Sequence, residues 1–474
     1  MVLRVRVGGR YGGGVSRRRV LLVVVPVAVV AVVVAVLLLR GGSDRDAAPK
    51  ALADEPLAYL PGGAKAVLDV DTRAPLVGLA VSQLAPRLSG GALKAGDVTP
   101  LLGGRAAAAL GGDGGAVLAL VAPRRDPVDA LARRLTAAGE YRGARLYAIP
   151  GGGQAALAAR GATVVAAPSA ALVRRALDAR AQPRPARAAF DRRLKGLPPD
   201  APLRIAFDPR ALLHDQAPKV AATRWGRALR DGAAVLEATA DGLRLPFRLT
   251  SDPTGLRPAD LPMATGAQAP STRGRAPLTI GLRTAAQGAA FAKATGQPAL
   301  TLLDEVPGFL RPDIGGLTGA ATISSSGPDL RRFTLVTDPP DPGDWATKLD
   351  RLDALSGLIR TVGLADVRID AKDGVYQLEE NGKLVVRAAV FGPTLALSDD
   401  ARADLRASAR APLDPPPTGA AGALTVRLQA KAARAIVGRP LGLPALVLDR
   451  LGDLTGWARA ELDGVTGELR LPVR

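Results

Sequence analysis

The sequence predicts an α+β fold made of two tandem copies of a mainly antiparallel sheet with packed helices, preceded by one N-terminal transmembrane helix. Three observations lead to this prediction. Residues 20–39, from Val20 to Leu39, carry no charged or polar side chain and are numerous enough to cross a bilayer as one helix. Further along, short apolar runs separated by turn signals favour antiparallel strands with helices on one face. Similar segments recur in two halves of this region, which indicates duplication.

The apolar run is expected to be an uncleaved membrane anchor. Six arginines and no acidic residue precede it, so the positive-inside tendency places the N-terminus in the cytoplasm and the bulk of the chain outside. A cleaved signal peptide is less favoured, because its apolar core is shorter, roughly 7–15 residues, and ends near a small-x-small site. The nearest such site, 51–53, lies well downstream. The sequence therefore predicts a single-pass protein of a bacterial cell membrane whose bulk is extracytoplasmic.

These observations divide the chain into segments. They are a basic cytoplasmic tail (1–19), the transmembrane helix (20–40), a juxtamembrane linker (41–54), a first extracytoplasmic repeat (55–252), a linker (253–275) and a second extracytoplasmic repeat (276–474). The linker between the repeats is rich in Pro, Gly, Thr and Ala and has no apolar period, which is typical of a linker or of an ordered crossing between the two halves.

Two sequence matches support the duplication. The hexamer LRLPFR at 243–248 recurs as LRLPVR at 469–474, and each follows an Asp-Gly turn signal. Residues 161–177 align without a gap with 392–408, and in each segment a short apolar strand leads to an arginine-bearing helix. A polar pair between strand and helix, at 168–169 or 399–400, is placed where a helix N-cap is expected. We therefore expect both pairs of matching segments to occupy equivalent places in the two repeats.

The apolar patterns predict the same order of elements in both repeats. In the first, strands are expected near 65–71, 105–110, 117–121, 145–149 and 155–160, helices at 76–88 and 127–138, and a last strand-to-helix step at 203–213. In the second, strands are expected near 278–283, 319–323, 332–337, 375–379 and 384–390, helices at 285–295 and 345–361, and the last step at 424–434. A parallel sheet is less favoured, because strand and helix do not alternate strictly.

Composition limits the partners. The net charge of +19 indicates a basic surface, so the expected partners are the membrane, through residues 20–39, and an anionic lipid, a wall polymer or an envelope protein. Nucleic acid is disfavoured by the expected location and because only 3% of the residues are aromatic, whereas base stacking needs aromatic side chains. The absence of cysteine excludes disulfides and leaves stability to an aliphatic core.

Two aspartates are the best candidates for chemistry. Asp69 and Asp71 alternate on one face of a predicted strand, and paired carboxylates serve in acid–base catalysis or hold a metal. A simpler interpretation is helix capping, since Asp71 precedes a predicted helix and Asp208 follows the strand of the corresponding step at 203–213. We favour capping.

The remaining motifs favour structural roles. His214 is the only histidine and lies at the end of a helical pattern without a nucleophile motif, so an exposed helix-end residue is expected. The glycine runs at 111–115 and 151–153 lack the Gly-Lys-Ser/Thr that a phosphate loop requires, so turns are expected. The sequence thus predicts no catalytic residue, no cofactor-binding residue, no metal ligand and no cofactor.

Several segments resemble an uncharacterised bacterial family of membrane-anchored proteins, the domain of unknown function DUF3352. The resemblance rests on Tyr-Leu-Pro at 59–61, on AKAVLDVD at 64–71 and on TVVAAPSAALVRRAL at 163–177, and it covers most of 55–474. It implies a single N-terminal anchor and an Ala- and Gly-rich outer region. The family has no known activity, so the resemblance assigns no site residue.

Three hypotheses for the function stay open. The preferred one is a membrane-anchored envelope protein, not an enzyme, whose duplicated region binds a partner protein, lipid or wall polymer or has a structural role. The second is a hydrolase or transferase that uses the carboxylates of Asp69 and Asp71. The third is a lipid carrier with an aliphatic cleft between the repeats that shelters an acyl chain. A long apolar cleft favours the third hypothesis, and carboxylates converging in a pocket favour the second.

Overall fold

The computed structural model of the protein describes most of the chain after residue 54. The described residues are 55–73, 85, 93–111, 115–149, 155–182, 185–274, 276–295, 320–325, 332–361, 367–380, 382–432, 434 and 451–472. Within them the structure is mainly antiparallel β-sheet.

The strands fall into two groups in chain order. Those before residue 252 are β1 (Ala66–Asp71), β2 (Arg105–Leu110), β3 (Ala116–Val121), β4 (Thr136–Tyr141), β5 (Ala144–Ala148), β6 (Ala156–Arg160), β7 (Thr163–Ala167), β8 (Leu203–Phe207), β9 (Leu229–Thr239) and β10 (Gly242–Ser251). Those after it are β11 (Thr272–Arg273), β12 (Leu278–Leu282), β13 (Ala321–Ser325), β14 (Thr334–Thr337), β15 (Val367–Lys372), β16 (Val375–Glu380), β17 (Lys383–Phe391), β18 (Thr394–Ser398), β19 (Leu413–Asp414), β20 (Leu424–Leu428), β21 (Leu454–Glu461) and β22 (Gly464–Pro472).

The helices connect these strands and cover the sheet. The α-helices in the described residues are α1 (Ala95–Val98), α2 (Asp126–Ala132), α3 (Ala170–Ala181), α4 (Pro185–Arg193), α5 (Pro209–Gln216), α6 (Pro218–Ala221), α7 (Arg224–Ala228), α8 (Ala285–Thr295), α9 (Pro342–Thr361) and α10 (Leu405–Arg410). Short 3₁₀ turns lie at Pro56–Tyr59, Thr99–Leu101 and Pro258–Asp260.

Twenty of the strands form one continuous antiparallel sheet. From the first edge the pairings run β4-β5-β6-β7-β3-β2-β1-β8-β9-β10, and then β22-β21-β20-β12-β13-β14-β18-β17-β16-β15 to the other edge. Each half therefore contributes ten strands in the same order, counted in chain order within the half.

The prediction of two tandem sheets is wrong, because the last strands of the two halves, β10 and β22, pair with each other. In this pairing Gly242 lies opposite Pro472 and Gly464 lies opposite Thr250, so the ladder is symmetrical. If the halves stood apart, each would leave a row of unpaired backbone groups along its last strand. Joining the strands satisfies both edges at once and merges the two units into a single sheet.

The LRLP hexamers lie on β10 and β22 but not at equivalent positions. Each strand begins at the glycine of its Asp-Gly turn, so Leu243 corresponds to Val465 and not to Leu469. Leu469 instead lies opposite Leu245 across the junction. The expectation that the hexamers coincide is wrong, because the turn and not the local identity fixes the register.

The strands of the other sequence match, between 161–177 and 392–408, occupy equivalent places in the two halves. β7 lies between β3 and β6, and β18 lies between β14 and β17, which are the equivalent neighbours. The helices that follow begin at different places: α3 begins directly after Ser169, whose Oγ accepts from the Leu172 N–H, whereas α10 begins after Asp404. The predicted cap at 399–400 is therefore wrong.

One predicted helix is much shorter in the structure. Helix α2 ends at Ala132, and the rest of the segment predicted as helix, up to residue 138, enters strand β4. β4 and β5 form a hairpin whose turn includes Arg142 and Gly143, both with positive φ. Pairing with β5 outweighs the helical pattern here, since tertiary context overrides local propensity. The predicted helix at 76–88 lies outside the described residues except for Ala85.

The sheet is covered on both faces. On the first face, one apolar core runs across both halves, from Tyr147 on β5 to Ile369 on β15. On the second face, Pro56–Tyr59, α3 and α4 cover the first half, and α10 covers part of the second. Strands buried on both faces, such as β3 and β7, are accordingly almost entirely apolar.

The structure does not support the predicted single-pass anchor or the membrane localisation derived from it. Among the described residues no helix is both long and apolar enough to span a bilayer. The longest of them, α9, carries charged residues throughout, including Asp344, Lys348 and Arg351, and such residues are costly in hydrocarbon. The segment from Val20 to Leu39, with the tail and juxtamembrane linker on either side, lies outside the described residues.

Candidate functional site

A cavity of about 40 Å³ lies on the first face of the sheet, where the two halves meet. Its lining comes from α7, from β10, from the crossing between the halves and from β20, β21 and β22. The lining residues are Trp225, Phe247, Leu249, Pro262, Met263, Leu424, Val426, Trp457, Ala458, Val465 and Leu469. All of them are apolar or aromatic, so the cavity presents no charged side chain.

Small residues lie at the floor of the cavity: Ala458 lines it, and Gly456 and Gly467 are next to lining residues on β21 and β22. Gly467 on β22 lies opposite Ala458 on one side and opposite Phe247 on the other. A Cβ at Gly467 would come within 2.4 Å of the Trp457 carbonyl oxygen and 2.5 Å of the Phe247 ring. A Cβ at Gly456 would come within 2.4 Å of Leu469 Cδ2. Only glycine fits at these two positions, because the neighbouring strand and side chains approach so closely.

The floor differs between the two halves. Leu203 on β8 pairs with Leu236, whereas Leu424 on the equivalent strand β20 pairs with Ala458. Ala458 therefore occupies the position that Leu236 holds in the first half. On the next strand, the registers make Gly467 equivalent to Leu245 in the same way. Two leucine side chains of the first half are replaced by a methyl group and a hydrogen atom, and this difference leaves space for the cavity.

The roof is built from both halves. Trp225 on α7 is 1% exposed, and its ring meets Phe291 of α8 edge to face, with centroids 5.9 Å apart and an interplanar angle of 78°. The Oγ1 of Thr223 accepts from the Gly226 N–H at 2.9 Å and thereby fixes the start of α7. Helix α7 belongs to the first half and α8 to the second, so this contact closes the cavity across the junction.

The crossing between the halves supplies the last wall. We call residues 258–263 the strap; Leu261 and Met263 of the strap are buried. One side chain of α8 holds it: Gln287 Nε2 lies 2.6 Å from the Pro258 carbonyl oxygen, 3.2 Å from that of Leu261 and 2.9 Å from that of Met263. The segment predicted as a linker or ordered crossing is thus ordered in this part.

The cavity can hold only a small apolar group in this conformation. An engineered cavity of roughly 150 Å³ binds benzene. The present volume of about 40 Å³ therefore matches a group of methyl or ethyl size. With an apolar lining, the favourable interactions available to such a group are burial from water and dispersion.

The structure places Asp69 in a separate, buried ion triplet on the second face. Arg105 Nη2 donates to Asp69 Oδ2 at 2.6 Å, and Arg204 Nε donates to the same oxygen at 3.1 Å. Two guanidinium groups thus share one oxygen of the carboxylate. This arrangement fits a structural ion triplet that fastens β1 to β2 and β8.

Asp71 has its own arginine. The Arg73 N–H donates to Asp71 Oδ1 at 3.0 Å and Arg73 Nε donates to it at 2.8 Å. Burial raises the pKa of Asp71, but the hydrogen bonds and charge of Arg73 outweigh burial, so its pKa lies below the ordinary value. Asp69 and Asp71 therefore do not share a pocket. Asp208 is confirmed as a cap: its Oδ1 accepts from the Arg210 and Ala211 N–H groups at the start of α5.

The other sequence candidates take structural places. The His214 side chain is 84% exposed near the end of α5, as expected, and its Nδ1 lies 3.7 Å from Asp215 Oδ1. The Gly111 N–H donates to the Gly115 carbonyl oxygen at 2.7 Å, between the end of β2 and the start of β3, and residues 112–114 lie outside the described residues. The glycine run at 151–153 lies outside the described residues. Within the described part of the chain, no group of three or more His, Cys, Asp or Glu residues is arranged to hold a metal ion.

Sequence reasoning missed the residues that form the cavity. Leu236 and Ala458 are equivalent only when the repeats are aligned through their Asp-Gly turns, an alignment that the more conspicuous LRLP identity obscures. With the turn-based register, the change from two leucines to Ala458 and Gly467 is the signal that identifies the cavity.

No known protein family and no curated protein matches the sequence. Among solved structures, crystal form III of TP0453 matches with a TM-score of 0.27 and 10% identity over 42% of this chain and 80% of that chain. Crystal form I of TP0453 gives a TM-score of 0.29 and 12% identity over 43% and 80% of the two chains. Similarity at these TM-scores carries no argument about this chain, and the resemblance to the DUF3352 family stays a prediction.

Proposed function

We propose that this chain is a non-catalytic binding protein that receives an apolar group, such as the end of an acyl chain, in the cavity between its two halves. One observation carries the proposal: the cavity is lined by apolar and aromatic residues and lies where Ala458 and Gly467 replace two leucines of the first half. Apolar surface moved from water into such a site gains about 25 cal/mol per Å².

The energetics of the cavity support a binding role. A fully enclosed, unfilled cavity costs about 24 cal/mol per Å³, so the volume of about 40 Å³ of this partly open cavity destabilises the fold by at most on the order of 1 kcal/mol. A ligand that fills the space restores the missing dispersion contacts. The second half thus has a modest energetic reason to bind an apolar group that the closely packed leucines of the first half do not share.

The other two hypotheses have weaker support. Asp69 and Asp71 are each paired with their own arginines, which favours structural roles over acid–base catalysis. Attraction to an anionic lipid, a wall polymer or an envelope protein rests on the net charge of +19 alone and stays a prediction.

Fluorescence quenching tests the proposed function. Of the three tryptophans, Trp225 presents its ring to the cavity. Trp457 borders the cavity only through its backbone, because its side chain lies opposite Glu468 and projects to the second face, and Trp345 lies on α9 outside the lining. A fatty acid brominated near its methyl end should quench the fluorescence of the protein on contact. Replacing Trp345 and Trp457 together by Phe should keep the quenchable emission, and Trp225→Phe should remove it. Quenching that depends on Trp345 alone would contradict the proposal.

A cavity-filling series supplies the matched variants. Ala458→Val and Ala458→Leu should weaken binding of the brominated fatty acid progressively, because the added carbons occupy the space of the ligand and restore the leucine of the first half. Thermal unfolding should show that both variants stay folded. Equal affinity in the wild type and in Ala458→Leu would contradict a ligand in this cavity.

A further inference from the structure

The walls of the cavity differ in how firmly they are held. Four of them are the strands β10, β20, β21 and β22, which are hydrogen-bonded to neighbours within the sheet. A fifth is helix α7. The remaining wall is formed by Pro262 and Met263 of the strap, which lie in neither helix nor strand. The strap is therefore the wall that can move without breaking a ladder of backbone hydrogen bonds.

One side chain of α8 is hydrogen-bonded to the strap at three points. Gln287 Nε2 lies within hydrogen-bond distance of the carbonyl oxygens of Pro258, Leu261 and Met263. An amide nitrogen has two N–H donors, so the three carbonyls share the donors of a single group. Loss of that group would release the strap from α8 at several points at once.

A chain segment of several carbons fits into the cavity only if one of its walls moves. A volume of about 40 Å³ is too small for an acyl chain segment of several carbons or for a ring, since benzene needs a cavity of roughly 150 Å³. Phe247 lies against Gly467 on the floor, which limits the width. Met263, with its flexible and polarizable side chain, is suited to repack around a slender group.

We propose that the strap is the movable wall through which the end of an unbranched aliphatic chain enters the cavity, and that Gln287 is the positioning residue that holds it closed. The inference rests on the proposed function for the identity of the ligand. The movement of the strap itself is a property of the free protein and is measured without ligand.

The first experiment measures the strap alone. The Leu261 N–H is bonded to the Pro258 carbonyl oxygen at 3.2 Å, within the strap. In Gln287→Ala, hydrogen exchange at this amide should rise by roughly five- to tenfold, the factor that one net hydrogen bond corresponds to. The matched control is Gln377→Ala on β16, where Gln377 Nε2 donates to Glu379 at 2.7 Å. Unchanged exchange in Gln287→Ala overturns the role of Gln287.

The second experiment adds the ligand. In the full chain, Gln287→Ala should speed the onset of quenching by the terminally brominated fatty acid by a similar factor, whereas Gln377→Ala should match the wild type. Gln287→Glu has the same shape but no donor when ionised, so it should be fast at neutral pH and slower in acid, where a protonated carboxyl regains one donor. A structural role alone would not produce this reversal with pH.

The results of the two experiments distinguish the proposed function from the proposed movement of the strap. Faster exchange with no quenching by any fatty acid overturns the proposed function while supporting the movement of the strap. A fatty acid of equal length with a branched or aromatic end should quench less and more slowly. Equal quenching by the branched and unbranched acids overturns the selection for an unbranched chain.

Discussion

Glu468 lies at the centre of the junction on the second face of the sheet, between two arginines. Arg244 on β10 and Arg470 on β22 are directly opposite each other, and like charges in that position repel. Glu468 accepts from Arg244 Nη2 at 2.6 Å and from Arg244 Nε at 3.2 Å, and it also accepts from Arg470. The residue is 5% exposed. One buried carboxylate thus neutralises the repulsion between the strands that join the halves.

Replacing this carboxylate should destabilise the protein. We expect Glu468→Gln to lower the free energy of unfolding by about 1–3 kcal/mol, because two arginines then face each other without a counterion and an amide replaces two charge-assisted bonds. Chemical denaturation of both proteins at neutral pH measures the difference. Arg459→Gln is the control. It should lower the free energy of unfolding less, because Arg459 pairs with Glu461 at the exposed end of β21.

The contribution of Glu468 to the stability of the protein depends on pH. Burial raises the pKa of Glu468, but the hydrogen bonds and charges of Arg244 and Arg470 outweigh burial, so its pKa in the folded state lies below the ordinary value. A lowered folded pKa contributes stability above the unfolded pKa and loses it as pH falls through the folded pKa. The stability difference between the wild type and Glu468→Gln should therefore shrink in acid. A difference that is independent of pH would contradict this ionic role.

Sequence reasoning at the residue scale found the acids but not their partners. Asp69 was recognisable as a candidate because it alternates with Asp71 on one strand. Its partner Arg204 is 135 positions away in the chain and reaches it only because β8 pairs with β1. The function of a carboxylate depends on such contacts. Residue type and spacing alone left catalysis and the favoured capping as alternatives, whereas the structure shows an ion triplet at Asp69.

Elements whose signals are local were predicted best. The caps of α3 and α5 follow from Ser169 and Asp208, because a cap bonds to N–H groups only two or three residues away. Strand β4 was missed, because its hairpin with β5 depends on tertiary pairing. The merging of the halves was missed for the same reason, since β10 and β22 are far apart in sequence.

The cap of α5 is open to a direct test. Asp208 Oδ1 accepts from two backbone N–H groups, so Asp208→Ala should lower the free energy of unfolding by about 1 kcal/mol. Asp208→Asn keeps an acceptor of the same shape and should cost much less. Helix α5 leads through α6 to α7 and Trp225, so the Ala variant should also make Trp225 more accessible to acrylamide. Equal stability of the Ala and Asn variants would contradict a capping role.

At the scale of the whole molecule, the junction determines both the architecture and the site. The repeated strand order gives two similar units, and the β10–β22 pairing makes them one sheet. The cavity, its roof and the strap all lie along this junction. A cleft between the halves was one of the hypotheses drawn from the sequence, but its position depends on side chains that only the turn-based register aligns.

Separating the halves tests how far the junction holds them together. We expect fragments 55–252 and 253–474, produced separately and mixed, to form a one-to-one complex. Each fragment alone exposes β10 or β22 as an unpaired edge, together with apolar residues that line the cavity at the junction. Light scattering after size-exclusion chromatography measures the stoichiometry.

Quenching by the brominated fatty acid should need both fragments, since the lining comes from each. Leu471 lies opposite Leu243 in the ladder. Because Asp463 accepts from the Ser251 N–H, the odd-numbered residues of β22 turn their backbone groups towards β10, so Leu471→Pro, which removes one of these donors, should weaken the complex. Val375→Pro on β16, away from the junction, serves as the control and should leave the association of the two fragments unchanged. Two fragments that stay separate monomers, or a complex that is indifferent to Leu471→Pro, would show that contacts other than the β10–β22 ladder hold the sheet together.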